Sequence, residues 1–205
     1  MDPRLKHPFT AIVAGPTGSG KTTFVRRLLS HLDELVSPPP QKVTWYYGEW
    51  QPEYAQVEGV EFVEGLPSGD LAGAGAGPQL VVVDDLMVET DKRVTKLFVK
   101  GSHHRNVSVL FLVQNLFDKN KELRTISLNA NYLVLFKNPR DASQIGHLAK
   151  QMYPGHGAFL REAFADATAK PYGYLLVDLK QDTPDTLRLR TSIMPGEVQY
   201  VYLRK

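Results

Sequence analysis

The sequence predicts an α/β fold with a mostly parallel central sheet flanked by helices. Uninterrupted apolar runs, typical of strands buried on both faces, alternate along the chain with amphipathic segments typical of helices. Near the end of the chain, two further runs separated by a turn predict an antiparallel pair of strands. We expect one domain over residues 1–205, with its core at about 9–193 and a short tail at each end.

The first strand is predicted at the apolar run Phe9 to Ala14, and a glycine-rich segment follows it directly. Residues 15–22, here called the phosphate loop, match the Walker A pattern G-x-x-x-x-G-K-[ST]. Glycines let several backbone N–H groups converge on one phosphate, Lys21 reaches the β- and γ-phosphates, and the Thr22 hydroxyl ligates Mg²⁺. ATP and Mg²⁺ are the predicted cofactors, and the predicted binding residues are Gly15, Pro16, Thr17, Gly18, Ser19, Gly20, Lys21, Thr22 and Thr23.

A helix is predicted from Lys21 to about Leu35, because its apolar residues recur at steps of three and four. Its positive N-terminal end coincides with the phosphate loop and adds to the attraction for a polyanion. Strands are predicted next at Lys42 to Tyr47 and at Val60 to Val63. Residues 65–78 are rich in glycine and predict a flexible surface loop.

The apolar run Leu80 to Val83 predicts a central strand that ends in two acids, Asp84 and Asp85. In enzymes with a phosphate loop, an acid at the tip of a neighbouring strand holds Mg²⁺, and we assign this role to Asp84 together with Thr22. Asp85 is predicted to orient or deprotonate the water that attacks the γ-phosphate. The acids therefore predict hydrolysis in addition to nucleotide binding.

A further buried strand is predicted at Val107 to Val113, and Gln114 follows it. A neutral amide at that point can hydrogen-bond both a γ-phosphate oxygen and the attacking water. Arg105 precedes the same strand and is predicted to reach an adjacent subunit's γ-phosphate as an arginine finger. Arg124 and Arg140 are the alternatives for this role.

The remaining segments continue the alternation of helices and strands. Helices are predicted at residues 90–100, 119–127, 141–152 and 158–167, and strands at residues 132–136, 172–179 and 186–193.

The formal net charge of +2 is too small to predict nucleic-acid binding by itself. Its distribution is uneven, because residues 92–140 contain ten Lys or Arg and two acidic residues, while the rest of the chain is net acidic. Such a segment could face DNA phosphates, a neighbouring subunit's nucleotide, or solvent. No apolar run is long enough for a membrane span and no signal peptide is recognisable, so we expect a soluble, intracellular protein without a membrane partner.

The order of these features resembles the FtsK/HerA superfamily of DNA-translocating ATPases, and more narrowly the genome-packaging ATPases of double-jelly-roll DNA viruses. The resemblance runs from about Phe9 to Ile193, and its specific part is Gln114 at a strand end with Arg105 upstream. It implies a P-loop NTPase (RecA/FtsK-like) fold, a homo-oligomeric ring of five or six subunits, ATP hydrolysis between subunits, and movement of double-stranded DNA into a capsid. Superfamily members commonly place Glu where Asp85 stands.

Capsid proteins would be further partners of such a motor. We expect the motor in the host nucleus, at a cytoplasmic virus assembly site, or in the virion.

Two alternative functions stay open. One is a P-loop kinase, whose Arg-rich lid the basic segment could supply, and the other is a capsid or DNA-binding component whose nucleotide site only holds structure together. A GTPase is disfavoured, because the pattern Asn-Lys-x-Asp is absent from the sequence.

Overall fold

The structure is a computed structural model that describes residues 2–66, 77–84, 92–96, 98–99, 106–117 and 121–204. The strands are β1 (Leu5–Lys6), β2 (Thr10–Ala14), β3 (Val36–Ser37), β4 (Lys42–Tyr47), β5 (Val60–Glu64), β6 (Gln79–Asp84), β7 (Val107–Val113), β8 (Tyr132–Phe136), β9 (Tyr174–Asp178), β10 (Leu189–Thr191) and β11 (Tyr200–Val201). The helices are α1 (Lys21–Leu29), α2 (Leu32–Leu35), α3 (Lys92–Lys96), α4 (Lys121–Leu128), α5 (Ser143–Met152) and α6 (Gly157–Ala167). Short 3-10 helices cover Pro52–Gln56 and Asp185–Leu187.

Nine of these strands form one sheet in the order β11-β10-β9-β8-β2-β7-β6-β4-β5. The six strands from β8 to β5 in this order are parallel to one another. Strand β9 pairs antiparallel with β8, and β10 and β11 continue the antiparallel pattern to the edge. The predicted α/β fold with a mostly parallel sheet and C-terminal antiparallel strands is confirmed, and β11 extends the predicted pair to three strands.

Strands β2 and β7 are buried along their whole length because helices cover both faces of the sheet. The alternation along β7 divides its side chains between two apolar layers. Val109 and Phe111 pack in the layer that includes residues of α3 to α6, whereas Leu110 and Leu112 pack in the layer of α1. A strand that contributes to two cores has no polar face, and this explains the uninterrupted apolar runs of the sequence.

The predicted helix from Lys21 to Leu35 is wrong in one respect, because α1 ends at Leu29. The Ser30 N–H donates to the Arg26 carbonyl at 3.0 Å in the usual helical pattern, but the next N–H, of His31, donates to the Leu28 carbonyl at 3.2 Å, a bond one residue shorter that closes the helix. Helix α2 is a single turn that leads into β3, and β3 pairs in parallel with β1. The chain must leave the helix axis to make this long-range pairing, which no local periodicity encodes.

The predicted strand over residues 186–193 is also shorter in the structure, where β10 covers only Leu189–Thr191. The Arg188 guanidinium donates to the carbonyls of Asp178 and Thr183, both at 2.9 Å, and to the Asp185 carboxylate at 3.0 Å. These bonds hold the preceding residues in a compact turn instead of an extended strand.

Some predicted features lie outside the described residues, among them most of the loop at 65–78 and the ends of the helix at 90–100. Within the part of the chain that the structure describes, no helix is both long enough and apolar enough to cross a membrane.

A buried histidine lies at the edge where the strands begin, opposite the phosphate loop. His7 Nδ1 lies 2.6 Å from the Ser108 hydroxyl, and His7 Nε2 lies 3.0 Å from the Asn106 side-chain oxygen. Burial lowers the pKa of His7 below its ordinary value.

We expect the free energy of unfolding to fall as the pH is lowered through about 6.5, because the unfolded chain then binds a proton that the folded chain resists. Urea denaturation at pH 7.5 and 5.5 measures this loss, and His7→Gln should reduce it. His156→Gln, at an exposed histidine, is the control and should keep the full pH dependence. Equal pH dependence in wild type and His7→Gln would contradict the prediction.

Candidate nucleotide-binding site

The phosphate loop joins the end of β2 to the start of α1 and is packed tightly against the neighbouring strands. The Gly15 N–H donates to the Val113 carbonyl at 3.1 Å, which ties the loop to the end of β7. A Cβ at Gly15 would lie 2.6 Å from Ser19 Oγ and 2.7 Å from Phe136 Cβ. The first residue of the loop therefore has no room for a side chain.

The last turn of the loop brings the N-terminus of α1 and a lysine together. Gly20 caps the helix with φ +104°, a conformation that residues with side chains rarely adopt. The Lys21 ammonium donates to the carbonyls of Gly15 at 2.7 Å and Pro16 at 3.1 Å, so its charge is held over the loop. The helix dipole and this cation act in the same direction, and both favour a bound polyanion.

A cleft of about 360 Å³ opens beside the loop. The cleft is lined by Asp84, the last residue of β6, which is only 4% exposed. The Asp84 carboxylate accepts a hydrogen bond from the Tyr54 hydroxyl at 2.8 Å. Thr22 lines the same cleft. A hydroxyl and a carboxylate are oxygen ligands of the kind that Mg²⁺ prefers. The donor set therefore fits Mg²⁺, and Thr22 and Asp84 are the residues that would hold it.

Gln114 is exposed directly after β7 and lines this cleft. The segment that follows it is fixed by Gln144 of α5, which is only 9% exposed. The Gln144 side-chain oxygen accepts the Leu116 N–H at 2.8 Å. Its amide nitrogen donates to Asn115 Oδ1 at 3.1 Å and to Asp141 Oδ2 at 2.9 Å. Helix α5 therefore holds the backbone that presents Gln114.

A second, larger cavity of about 480 Å³ lies on the other side of Gln114. Its lining includes Leu135, Ile145 and Phe164 together with the exposed Arg161. Gln114 thus separates a polar cleft from a more apolar space.

The predicted site residues fall into three groups. Asp85 and Arg105 lie outside the described residues, so the structure does not place them. Arg124 on α4 and Arg140 between β8 and α5 are exposed. Most of the predicted nucleotide-binding residues line the cleft, namely Thr17, Gly18, Gly20, Lys21, Thr22 and Thr23. The other three, Gly15, Pro16 and Ser19, are not part of its lining.

Sequence reasoning missed several residues that contact or line this cleft. Arg26, Glu53 and Tyr172 line it, and Tyr54 contacts Asp84. Arg26 could have been found, because it follows Thr22 by four residues and so lies on the same face of the predicted helix. Glu53, Tyr54 and Tyr172 reach the cleft from distant parts of the chain, and the sequence carries no pattern that indicates this.

The hydrogen bonds of Gln144 lead to a prediction about stability. Gln144→Leu keeps the approximate side-chain size but leaves the buried Leu116 N–H without its acceptor, which should lower the free energy of unfolding by about 1–3 kcal/mol. Urea denaturation measures the change. Gln151→Leu, the same substitution at an exposed position of α5, should change it by less than about 0.5 kcal/mol. Similar losses in both variants would show that the hydrogen bonds are not responsible.

No protein-family model matches the chain. A curated protein, polynucleotide 5'-hydroxyl-kinase grc3 of Aspergillus terreus (strain NIH 2624 / FGSC A1156), is 43% identical over 54 residues. The matched segment is 26% of this chain and only 5% of that protein, so the chain spans a small part of this relative.

Among solved structures, the chain is similar to that of the genome packaging NTPase B204 from Sulfolobus turreted icosahedral virus 2 in complex with ATP-gammaS. It covers 99% of this chain and 98% of the other, with a TM-score of 0.56 and 12% sequence identity. The predicted resemblance to viral genome-packaging ATPases is thus confirmed at the level of the fold. The chain has the P-loop NTPase fold, and its phosphate loop occupies the expected position between a central strand and the following helix.

Proposed function

We propose that this protein is an ATP-hydrolysing motor that moves double-stranded DNA into a viral capsid. One observation carries the proposal: a complete phosphate loop shares a cleft with Asp84 and Gln114. The fold of a genome packaging NTPase, matched over nearly the whole chain, supports it further. Kinases and switches also use phosphate loops, but the predicted order of Arg105, strand and Gln114 favours a motor.

In the proposed reaction, the loop N–H groups and Lys21 bind the phosphates of ATP and hold the γ-phosphate at the end of the cleft near Gln114. Thr22 and Asp84 would hold Mg²⁺, which when bound offsets negative charge on the phosphate oxygens. The hydrogen bond from Tyr54 orients the Asp84 carboxylate. Gln114 orients the attacking water through its amide, which can donate and accept hydrogen bonds.

Arg105 is proposed to act on the nucleotide of a neighbouring subunit in a homo-oligomeric ring, with Arg124 and Arg140 as the alternatives. A guanidinium suits this role because it stays charged and presents several donors to phosphate oxygens. The basic segment over residues 92–140 is proposed to face the phosphates of double-stranded DNA.

We expect the protein to release phosphate from ATP, and duplex DNA to stimulate the release, because the motor couples hydrolysis to movement. Lys21→Ala should abolish tight ATP binding and hydrolysis while keeping the thermal unfolding transition, since Lys21 binds the charged phosphates. Phosphate-release assays with and without duplex DNA measure both effects.

Two outcomes would contradict this proposal. One is the absence of hydrolysis under all conditions. The other is transfer of the γ-phosphoryl group to the 5′-hydroxyl of a polynucleotide or to a small acceptor, which would favour a kinase. An unchanged ATP affinity in Lys21→Ala would contradict the role of the phosphate loop itself.

Two carboxylates compete for the role of general base. Asp85 is the residue proposed from the sequence, and Glu53 lines the cleft in the structure. We expect Asp85→Asn to lower kcat by about 10²- to 10⁴-fold, the range for loss of a general base, with ATP binding retained. Glu53→Gln should change kcat only a few-fold in the same steady-state assay. The reverse pattern would assign the base to Glu53.

A further inference from the structure

Tyr172 combines two features that are unusual for a large aromatic residue. The residue is 72% exposed, and its backbone has φ +62°. The other described residues with positive φ, apart from glycines, are Asn106 and Ser192, whose side chains are small. A bulky residue is strained in this conformation, and such strain is often found at binding sites. Packing does not account for Tyr172, because most of its surface faces solvent.

Tyr172 lies directly against the phosphate loop. An ideal Cβ placed on Gly20 would be 3.2 Å from Tyr172 Cδ1 and 3.4 Å from Tyr172 Cβ. The tyrosine borders the phosphate cleft on one side, and on the other it borders a second cleft of about 410 Å³ that is lined also by Gly18, Lys137 and Lys170. A ligand extending from the loop would therefore meet this ring.

The sheet order indicates which end of a nucleotide would reach it. Asp84 is the last residue of β6 and Gln114 follows β7, and both strands lie on one side of β2. Tyr172 lies two residues before β9, which is on the other side of β2. The loop backbone binds α- and β-phosphates, and its lysine binds the β- and γ-phosphates. If the γ-phosphate points to Asp84 and Gln114, the α-phosphate and the nucleoside point to the side of β8 and β9.

We propose that Tyr172 is the platform on which the base of the bound nucleoside triphosphate stacks. This inference rests on the proposed function, because it requires a nucleotide in the phosphate loop. An exposed ring beside the phosphate site offers a π-face to the base, and the left-handed backbone at Tyr172 keeps that ring at the loop. Stacking of this kind distinguishes a nucleotide from an inorganic phosphate chain, because every base has a π-face and the phosphate chain has no ring.

The test compares ATP-gammaS with inorganic tripolyphosphate, which carries the phosphate chain without the base. Binding of each to the full chain is measured by calorimetry in the presence of Mg²⁺. Tyr172→Ala should weaken ATP-gammaS binding by about 5- to 150-fold, the range for loss of one aromatic–base stack, and leave tripolyphosphate binding unchanged. Tyr172→Phe should keep most of the affinity, because stacking uses the ring. Tyr200→Ala, at another exposed tyrosine, is the matched control and should change neither affinity.

A second variant separates binding from folding. Tyr172→Gly should be at least as stable to heat as Tyr172→Ala, because glycine adopts φ +62° without strain, and should lose the same ATP-gammaS affinity. Equal weakening of both ligands by Tyr172→Ala would overturn the proposal and assign Tyr172 to support of the loop. Equal binding of both ligands to the wild type would overturn it as well and leave the proposed function standing. If the wild type binds neither ligand, the proposed function and this inference both fail.

Discussion

The parallel pairing of β2 with β7 and β8 is the constraint on which the rest of the candidate site depends. Ala14, the last residue of β2, is in register with Val113 of β7 and with Leu135 of β8. The phosphate loop and Gln114 therefore leave the sheet at the same level. A shift of β7 by one residue would turn Phe111 and its neighbours to the opposite layer. The two apolar layers thus fix the register, and the register fixes the positions of the polar residues.

The edge at which the parallel strands end has two halves, divided by the phosphate loop. The half formed by β7 and β6 presents an amide and a carboxylate, which suit the reacting end of a triphosphate. The half formed by β8 and β9 presents Tyr172. Because β9 is antiparallel to β8, its beginning lies at the same edge where the parallel strands end. The antiparallel strands therefore do more than extend the sheet, since their first connection brings an aromatic ring to the loop.

The sequence predicted most of the sheet and the loop, because both are encoded locally. A strand buried on both faces requires an apolar run, and tight phosphate binding requires glycines followed by lysine. The strand β11 was not predicted, because two residues are too few to show a pattern. The end of α1 at Leu29 was not predicted, because it depends on the pairing of β3 with the distant β1. The contact between Tyr54 and Asp84 was missed for the same reason. Long-range contacts of this kind leave no periodic pattern in the residues that make them.

The hydrogen bonds around Asn115 connect the candidate site to the surface of the molecule. Asn115 Oδ1 accepts from Gln144 at 3.1 Å and from Asn138 at 3.4 Å, and the Asn138 side chain accepts the Arg140 N–H at 3.0 Å. Polar networks whose members are paired in this way make the segments that they join more rigid. The backbone that presents Gln114 and the loop that carries Arg140 are thus joined by side-chain bonds. Of the two described alternatives to Arg105, Arg124 lies on the separate helix α4, whereas Arg140 lies in a loop that is hydrogen-bonded to the segment after Gln114.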